Sequence, residues 1–403
     1  MYSDLSKRRS RNQAGLSLVE IMVGVLIGMI GIIVIFQMLA TSESRKRTVS
    51  AGSDVQVTGI IGLTSIERDV REAGYGFSSA GYDTGITPVM GCMVNAYDTA
   101  RPTPAFTYRL TPIQIIQGAG TASDTVIVLR GNGNTFPAAH VFTESTDTSK
   151  KTRGRAGISP RDYVLIGRVT PTLDCMTAEI TDVTDVDALT IRHNQGSYSY
   201  TLYLPDGSTS VGTRIARHNN AAPPTSFTAG YIFNLGNGPR RNIWTVNQVN
   251  QKLQVTNDLL HSDVTASITD PPTPAGPDGV NDPVEVADNV ITLQAEYGID
   301  ANNNGRIESS EWTTTDPAAV VQWANVLAVR LALLVRSGQF ERTTVTTTVP
   351  SWAGGQFTIT NLDGSASSST PADPANNWRN YRYRVYETVI PLRNMLWGSN
   401  IRP

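Results

Sequence analysis

Residues 16–40 read LSLVEIMVGVLIGMIGIIVIFQMLA, an apolar run interrupted by a single ionisable side chain, Glu20. As an α-helix the run is about 37 Å long, enough to cross a hydrocarbon core of roughly 30 Å. Lys7, Arg8, Arg9 and Arg11 precede it and favour a cytoplasmic N-terminus, but Arg45, Lys46 and Arg47 follow it, so charge asymmetry alone orients the segment weakly. A secretory signal places small residues after its apolar run as a cleavage site, whereas here Ala14 and Gly15 stand before it. The carboxylate needs a reason, because a charge at the bilayer centre costs about 2.5–3.5 kcal/mol on insertion scales. Were the chain cut before Leu16, the new α-amino group would lie one helical turn from Glu20, at a helix end where the dipole also favours negative charge.

Outward from the run, polar residues 41–53 lead to Ile60, Leu63, Ile66, Val70 and Ala73, a stripe at helical spacing. Glu67, Arg68, Asp69, Arg71 and Glu72 occupy the other faces, and Gly74-Tyr75-Gly76 supplies a C-terminal stop. The pattern predicts one helix over about 16–74, apolar all round at first and amphipathic afterwards. Beyond Phe77 the helical period is lost. Runs at 125–129, 163–169, 189–192, 198–204, 231–235, 243–249 and 253–256 read as strands, and 99–106, 132–139 and 205–226 as loops. The Pro- and Asp-rich stretch 270–288 reads as a long loop and cannot be a central strand.

Composition narrows the function. With 40% hydrophobic and 17% charged residues the chain is not of the disordered class, and its length of 403 residues sets no limit on core size. Thirty-three basic against 35 acidic side chains give a formal charge of −2, which argues against a basic face gripping nucleic acid. The chain has no GxSxG, HExxH or Walker-type GxxxxGK, and His140, His193, His218 and His261 stand isolated, so no enzyme is expected. Residues 300–311 read DANNNGRIESSE, the spacing of a calcium loop. Asp300, Asn302 and Asn304 would give side-chain oxygens, Arg306 its carbonyl, Glu308 a further carboxylate and Glu311 a bidentate one, with Gly305 at the sharp turn. Asn-Asn-Gly is also a common tight turn between strands, and the flanks look more β than helical. Cys92 and Cys175 match no metal spacing; they pair in an oxidising compartment and are small buried hydrophobes in a reducing one.

Gly15-Leu16-Ser17-Leu18-Val19-Glu20 resembles the prepilin peptidase motif of type IV pilins and type II secretion pseudopilins, usually Gly-Phe-Thr-Leu-Ile-Glu, with Leu16 in place of Phe. A second block is similar to the C-terminal region of PilW proteins and, more distantly, of the J-type pseudopilin. It comprises NVITLQAEYG at 289–298, WANVLAVRLALLVRS at 323–337 and a terminal strand in YRYRVYETVIPLRN at 381–394. The resemblance implies an α+β, type IV pilin-like fold, a long helix packed on a β-rich domain with long loops. It divides the chain into a leader at 1–15, a transmembrane and filament-core helix at 16–42 and its amphipathic half at 43–76. A β-rich region at 77–269, the loop 270–288 and a C-terminal β region at 289–403 follow.

It further implies cleavage after Gly15, methylation of Leu16, and Glu20 pairing with the amine of a neighbouring subunit. The implied partners are a prepilin peptidase, other minor pilins, the major pilin and a tip adhesin. The implied place is the inner membrane with a periplasmic C-terminal domain, and the pilus after assembly. In that compartment Cys92 and Cys175 form a disulfide. The implied role is a minor pilin that helps initiate pilus assembly near the filament tip. The alternatives are a minor pseudopilin of a type II secretion system, and a membrane-tethered binding module or enzyme built on 80–288, which resembles no family.

Overall fold

A computed structural model describes residues 17–78, 90–133, 139–154, 157–168, 174–183, 189–203, 206–220, 227–259, 282–318 and 320–398. The chain divides into two compact units, Met1–Asp54 and Val55–Pro403. Helix α1, Leu18–Glu72, runs through the boundary. In the first unit its apolar side chains from Leu18 to Leu39 are exposed on every face, as expected of a run with no polar stripe.

In the second unit the helix buries one face, but not quite the stripe its spacing predicts. Ile66, Val70 and Ala73 are fully buried, Leu63 is half-buried, and Ile60 is exposed. The buried face runs instead through Val55, Gly59, Gly62, Ile66 and Asp69. A Cβ on Gly59 would stand 2.1 Å from the Tyr386 ring, and one on Gly62 would stand 3.1 Å from the Leu253 and Leu333 side chains. Bare glycine lets the helix approach the strands at these two turns, and glycine carries no hydropathy by which to announce it. The helix stops where Gly74 and Gly76 take positive φ, +79° and +97°. Asn394 then donates from Nδ2 to the carbonyls of Glu72 (3.2 Å) and Ala73 (3.0 Å), covering acceptors that a helix end leaves open.

Two antiparallel sheets face this part of the helix. One runs in the order Trp312–Thr313, Val290–Ile299, Val326–Arg336, Tyr383–Pro391. Its central strand, VLAVRLALLVR, is apolar on both sides because both are covered. Val329, Leu331, Leu333 and Val335 enter the main core, while Ala332 and Leu334 pack against Phe357, Ile359 and Trp378. The other sheet runs Val284–Asp288, Lys252–Asn257, Arg240–Asn247, Thr125–Arg130, Ile113–Ile116. Asp124 ties the two together: its N–H donates to Leu293 O and its Oδ2 accepts from Ala295 N, both at 2.9 Å. Tyr297 does the same, accepting from Ile115 N and donating to Asp316 Oδ1 (2.9 Å), with its ring edge-on to Trp323.

Residues 93–234 build a larger sheet. Its order is Ala105–Arg109, Met93–Tyr97, Asp174–Glu179, Tyr163–Arg168, Gly230–Asn234, His140–Ser145, Ser149–Thr152, Thr190–Arg192. The pair Met93–Tyr97 and Asp174–Glu179 is parallel and every other pair in it is antiparallel.

The seven predicted strand runs each form a strand, with ends within three residues of the expected ones. Four readings need correction. The loop at 205–226 contains the strand Thr209–Ala216, which pairs along its whole length with Gly196–Tyr203. Val211 and Ile215 on it are exposed, so no buried face imposed an alternation to read. Ala105 and Phe106, placed in a loop, open the strand Ala105–Arg109. In 270–288, residues up to 281 lie outside the described residues, and Val284–Asp288 forms an edge strand. The terminal motif does not end as a strand: Tyr383–Pro391 stops at the proline, and Arg393–Gly398 is a short helix that carries Asn394 to the end of α1.

Candidate functional site

Gly15 and Leu16 lie outside the described residues. Glu20 sits in the first turn of α1, exposed, its N–H donating to Ser17 O (2.9 Å). Leu18–Glu43 is long and apolar enough to cross a membrane. An exposed apolar surface on all faces of a helix finds its favourable surroundings in lipid or among other such helices. Within its apolar run, residues 16–40, Glu20 is the one ionisable side chain.

The acidic loop closes on itself. Asp300, 5% exposed, accepts from Asn304 N at Oδ1 (3.0 Å) and from Gly305 N at Oδ2 (2.7 Å). Asn302 Oδ1 also accepts from Asn304 N (3.0 Å), and Asn304 Oδ1 accepts from Arg306 N (2.8 Å). Glu311 reaches back across the loop, taking Ala301 N (3.0 Å) and Glu308 N (2.9 Å) on its two oxygens. Glu308 accepts from Asn304 Nδ2 (3.1 Å). Asn303 and Gly305 take the positive φ that the winding requires, +58° and +76°. The predicted ligand residues are thus gathered into one loop. Among the described residues, however, no three His, Cys, Asp or Glu groups converge closely enough to hold a metal. Both flanks are β, the strand Val290–Ile299 before and Trp312–Thr313 after, and the loop itself ends in the 3₁₀ turn Ser309–Glu311.

Cys92 and Cys175 form a disulfide with Cα atoms 6.0 Å apart. It lies at the start of a parallel strand pair, where Val94 registers with Cys175.

Beside that pair is a buried polar cluster that the isolated histidines gave no reason to expect. Arg217 grips Asp98 with Nε and Nη2, the latter at 3.0 Å. Burial pushes the Asp98 carboxyl up, but the hydrogen bond and charge of Arg217, with His218 beside it, outweigh burial and hold its pKa below the usual carboxylate value. Glu179 Oε2 accepts the backbone N–H groups of Arg217 (3.0 Å) and His218 (3.3 Å), and Oε1 meets Tyr198 OH and Arg214. Burial and the adjacent Glu179 raise the Tyr198 pKa, so its phenol stays a donor. His218 packs edge-on to Tyr163, and burial lowers its pKa. His193, 3% exposed, is pushed down to about 3 by burial, with the charge of Lys150 acting in the same direction. These partners are separated by up to 119 positions in sequence, and no local spacing brings them together.

Comparison with known families gives a match over part of the chain. Residues 249–394 match the family model described as Type IV Pilus-assembly protein W, PilW. No curated protein and no solved structure matches the chain. The PilW match begins at the turn before Lys252–Asn257 and ends within the short helix at Asn394. It therefore contains the acidic loop, Tyr297, Trp323 and the cap on α1. With one apolar N-terminal helix, it supports a membrane-anchored, PilW-like protein with a role related to type IV pilus assembly.

Proposed function

We propose that this chain is a minor pilin that helps initiate type IV pilus assembly and enters the filament at or near its tip. The observation that carries the reading is the joint presence of a PilW match over 249–394 and an apolar run, 16–40, whose one carboxylate, Glu20, lies in the first turn of α1. In this reading a prepilin peptidase cuts after Gly15, Leu16 is methylated, and the helix rests in the inner membrane with the β-rich unit in the periplasm. Glu20 then pairs with the amine of an adjacent subunit, other minor pilins and the major pilin surround the helix, and a tip adhesin is a further partner. The disulfide suits an oxidising compartment. Residues 300–311 form a weak calcium site in this reading, a cation using the carboxylate lone pairs that the backbone N–H groups leave open.

Glu20→Ala tests it. The variant enters the membrane and is processed normally, but its amount in sheared pili falls at least tenfold against wild type on quantitative immunoblots. Normal recruitment removes the assembly role of Glu20.

A further inference from the structure

Among the described residues the three larger sheets end in six edge strands, and five of these offer a partner little. Trp312–Thr313, Thr190–Arg192 and Ile113–Ile116 have two, three and four residues, Ala105–Arg109 has five, and the register of Val284–Asp288 shifts at Leu253/Gln254. Tyr383–Pro391 differs. It runs for nine residues, pairs with Val326–Arg336 without a shift of register, and carries no lysine and no proline before Pro391. Folded proteins normally shorten, bend or cover such an edge, because its unpaired N–H and C=O groups are a template for another strand.

Which groups face outward follows from the bonds at the two ends of the strand. Leu392 N donates to Leu327 O and Ser337 N to Arg382 O, both at 2.8 Å and both in register with the strand pair. Antiparallel pairs alternate, so Arg384, Tyr386, Thr388 and Ile390 turn their backbone groups to Val326–Arg336, and Tyr383, Val385, Glu387 and Val389 turn theirs away from it. Among the described residues no hydrogen bond reaches these outward backbone groups. Pro391, with no N–H, closes the edge. The side chains follow the same alternation. Tyr386 and Ile390 join the main core, which puts Arg384 and Thr388 on the α1 side, while Tyr383 and Val385 pack with Phe357 and Trp378 on the other. Arg384 is exposed and has no carboxylate partner among the described residues, its guanidinium lying 5.8 Å from the centre of the Tyr386 ring. On the opposite face Glu387 accepts from Ala353 N (2.9 Å), and Val389 is 57% exposed beside Arg330, which Glu296 neutralises.

We propose that an extended segment of another protein adds a strand to this edge, placing an acidic side chain against Arg384 and an apolar one beside Val389. Main-chain hydrogen bonds supply the affinity in this mode, and alternate side chains choose the partner. Arg384, the unpaired charge on the edge, selects the acid. Beside Val389 the neighbouring charges are already paired, so an apolar side chain gains by removing exposed surface from water. A second copy of this strand fits worse. Antiparallel self-pairing sets odd-numbered positions against odd and even against even, so Arg384 never meets Glu387 on the other face. The inference uses the sheet edge alone and does not depend on the pilin reading.

The test is fluorescence anisotropy with the full chain in mild detergent. The probes are fluorescein-labelled, threonine-rich heptapeptides holding one glutamate and one valine, spaced as Arg384 and Val389 are and placed in either order. A peptide with lysine for glutamate and one with N-methylated backbone amides are the controls. At least one glutamate peptide binds with a millimolar or lower Kd, and hydrogen exchange at Val385, Glu387 and Val389 slows on binding, while the N-methylated peptide does not bind. Arg384→Glu weakens the glutamate peptide about fivefold and strengthens the lysine peptide to match. Val389→Pro removes one outward N–H, leaves the pairing with Val326–Arg336 intact, and weakens binding about tenfold with the melting temperature unchanged. Should that variant fail to fold, the charge exchange at Arg384 decides. The proposal is overturned if no glutamate peptide binds, if the N-methylated peptide binds as tightly, or if Arg384→Glu leaves the preference unaltered. It is also overturned if the chain forms a dimer that Val389→Pro disperses, which gives the edge to a second copy.

Discussion

Asp69 is the polar link between α1 and the strand Arg240–Asn247, and its removal has a calculable cost. Its Oδ2 accepts from Asn242 Nδ2 (2.6 Å) and Trp244 Nε1 (2.9 Å), and its Oδ1 lies 3.5 Å from Arg130 Nε. Asp69, Asn242 and Trp244 are each less than one-tenth exposed. Asp69→Leu keeps the volume roughly but leaves two buried donors unanswered, at about 1–3 kcal/mol each, so the loss should be about 3–4 kcal/mol. Asp69→Asn can set its amide oxygen where Oδ2 stands and keep both donors paired. It loses only the charge beside Arg130, which also pairs with Glu72, and should cost about 1 kcal/mol. Urea unfolding of the full chain in mild detergent, followed by tryptophan fluorescence, reads the difference. With a slope of roughly 3 kcal/mol/M, Leu moves the midpoint down by about 1 M and Asn by about a third of that. If Leu and Asn cost the same, or Leu costs under 1 kcal/mol, acceptance by the carboxylate is not what joins helix to sheet.

Three further expectations can be checked separately. Gly15→Val blocks leader removal, whereas mass spectrometry of the wild-type mature protein gives Leu16 as its first residue; any other N-terminus refutes the processing site. Replacing Cys92 and Cys175 with Ala releases a loop spanning 83 positions and lowers stability by about 4.5 kcal/mol on the chain-entropy estimate; ready alkylation of both thiols in the native, unreduced protein contradicts the pairing. If residues 300–311 bind calcium, millimolar calcium raises the melting temperature by calorimetry and Asp300→Ala with Glu311→Ala removes the rise; no calcium-dependent shift leaves the loop closed by its backbone hydrogen bonds alone.

What the sequence disclosed follows from how locally each feature is specified. The span and stop of α1 were legible because an unbroken apolar run and a Gly-Tyr-Gly stop act on adjacent residues. Its buried face was misplaced because Gly59 and Gly62 act through what they lack, and the sheets that use the space lie more than a hundred positions away. Val326–Arg336 entered only as part of the resemblance block at 323–337, although covering both its faces demands the continuous apolar run it carries. Thr209–Ala216 did not, since a hairpin with exposed faces needs only backbone pairing and its side chains are unconstrained. The acidic loop was legible as a set of residues, but their hydrogen bonds are visible only in three dimensions. The Asp98–Arg217–Glu179 cluster was illegible altogether, for its ion pair joins residues 119 positions apart that no local pattern links.

The hold of Asn394 on the end of α1 orders events in time. The helix is the first part of this unit to be synthesised, yet the side chain that covers its final carbonyls is made more than three hundred residues later. Until that moment the helix end must be satisfied by water. A chain halted between Pro391 and Asn394 keeps every described strand of the fold but cannot close it, leaving a frayed helix end by which a quality-control protease could tell an unfinished subunit from a finished one.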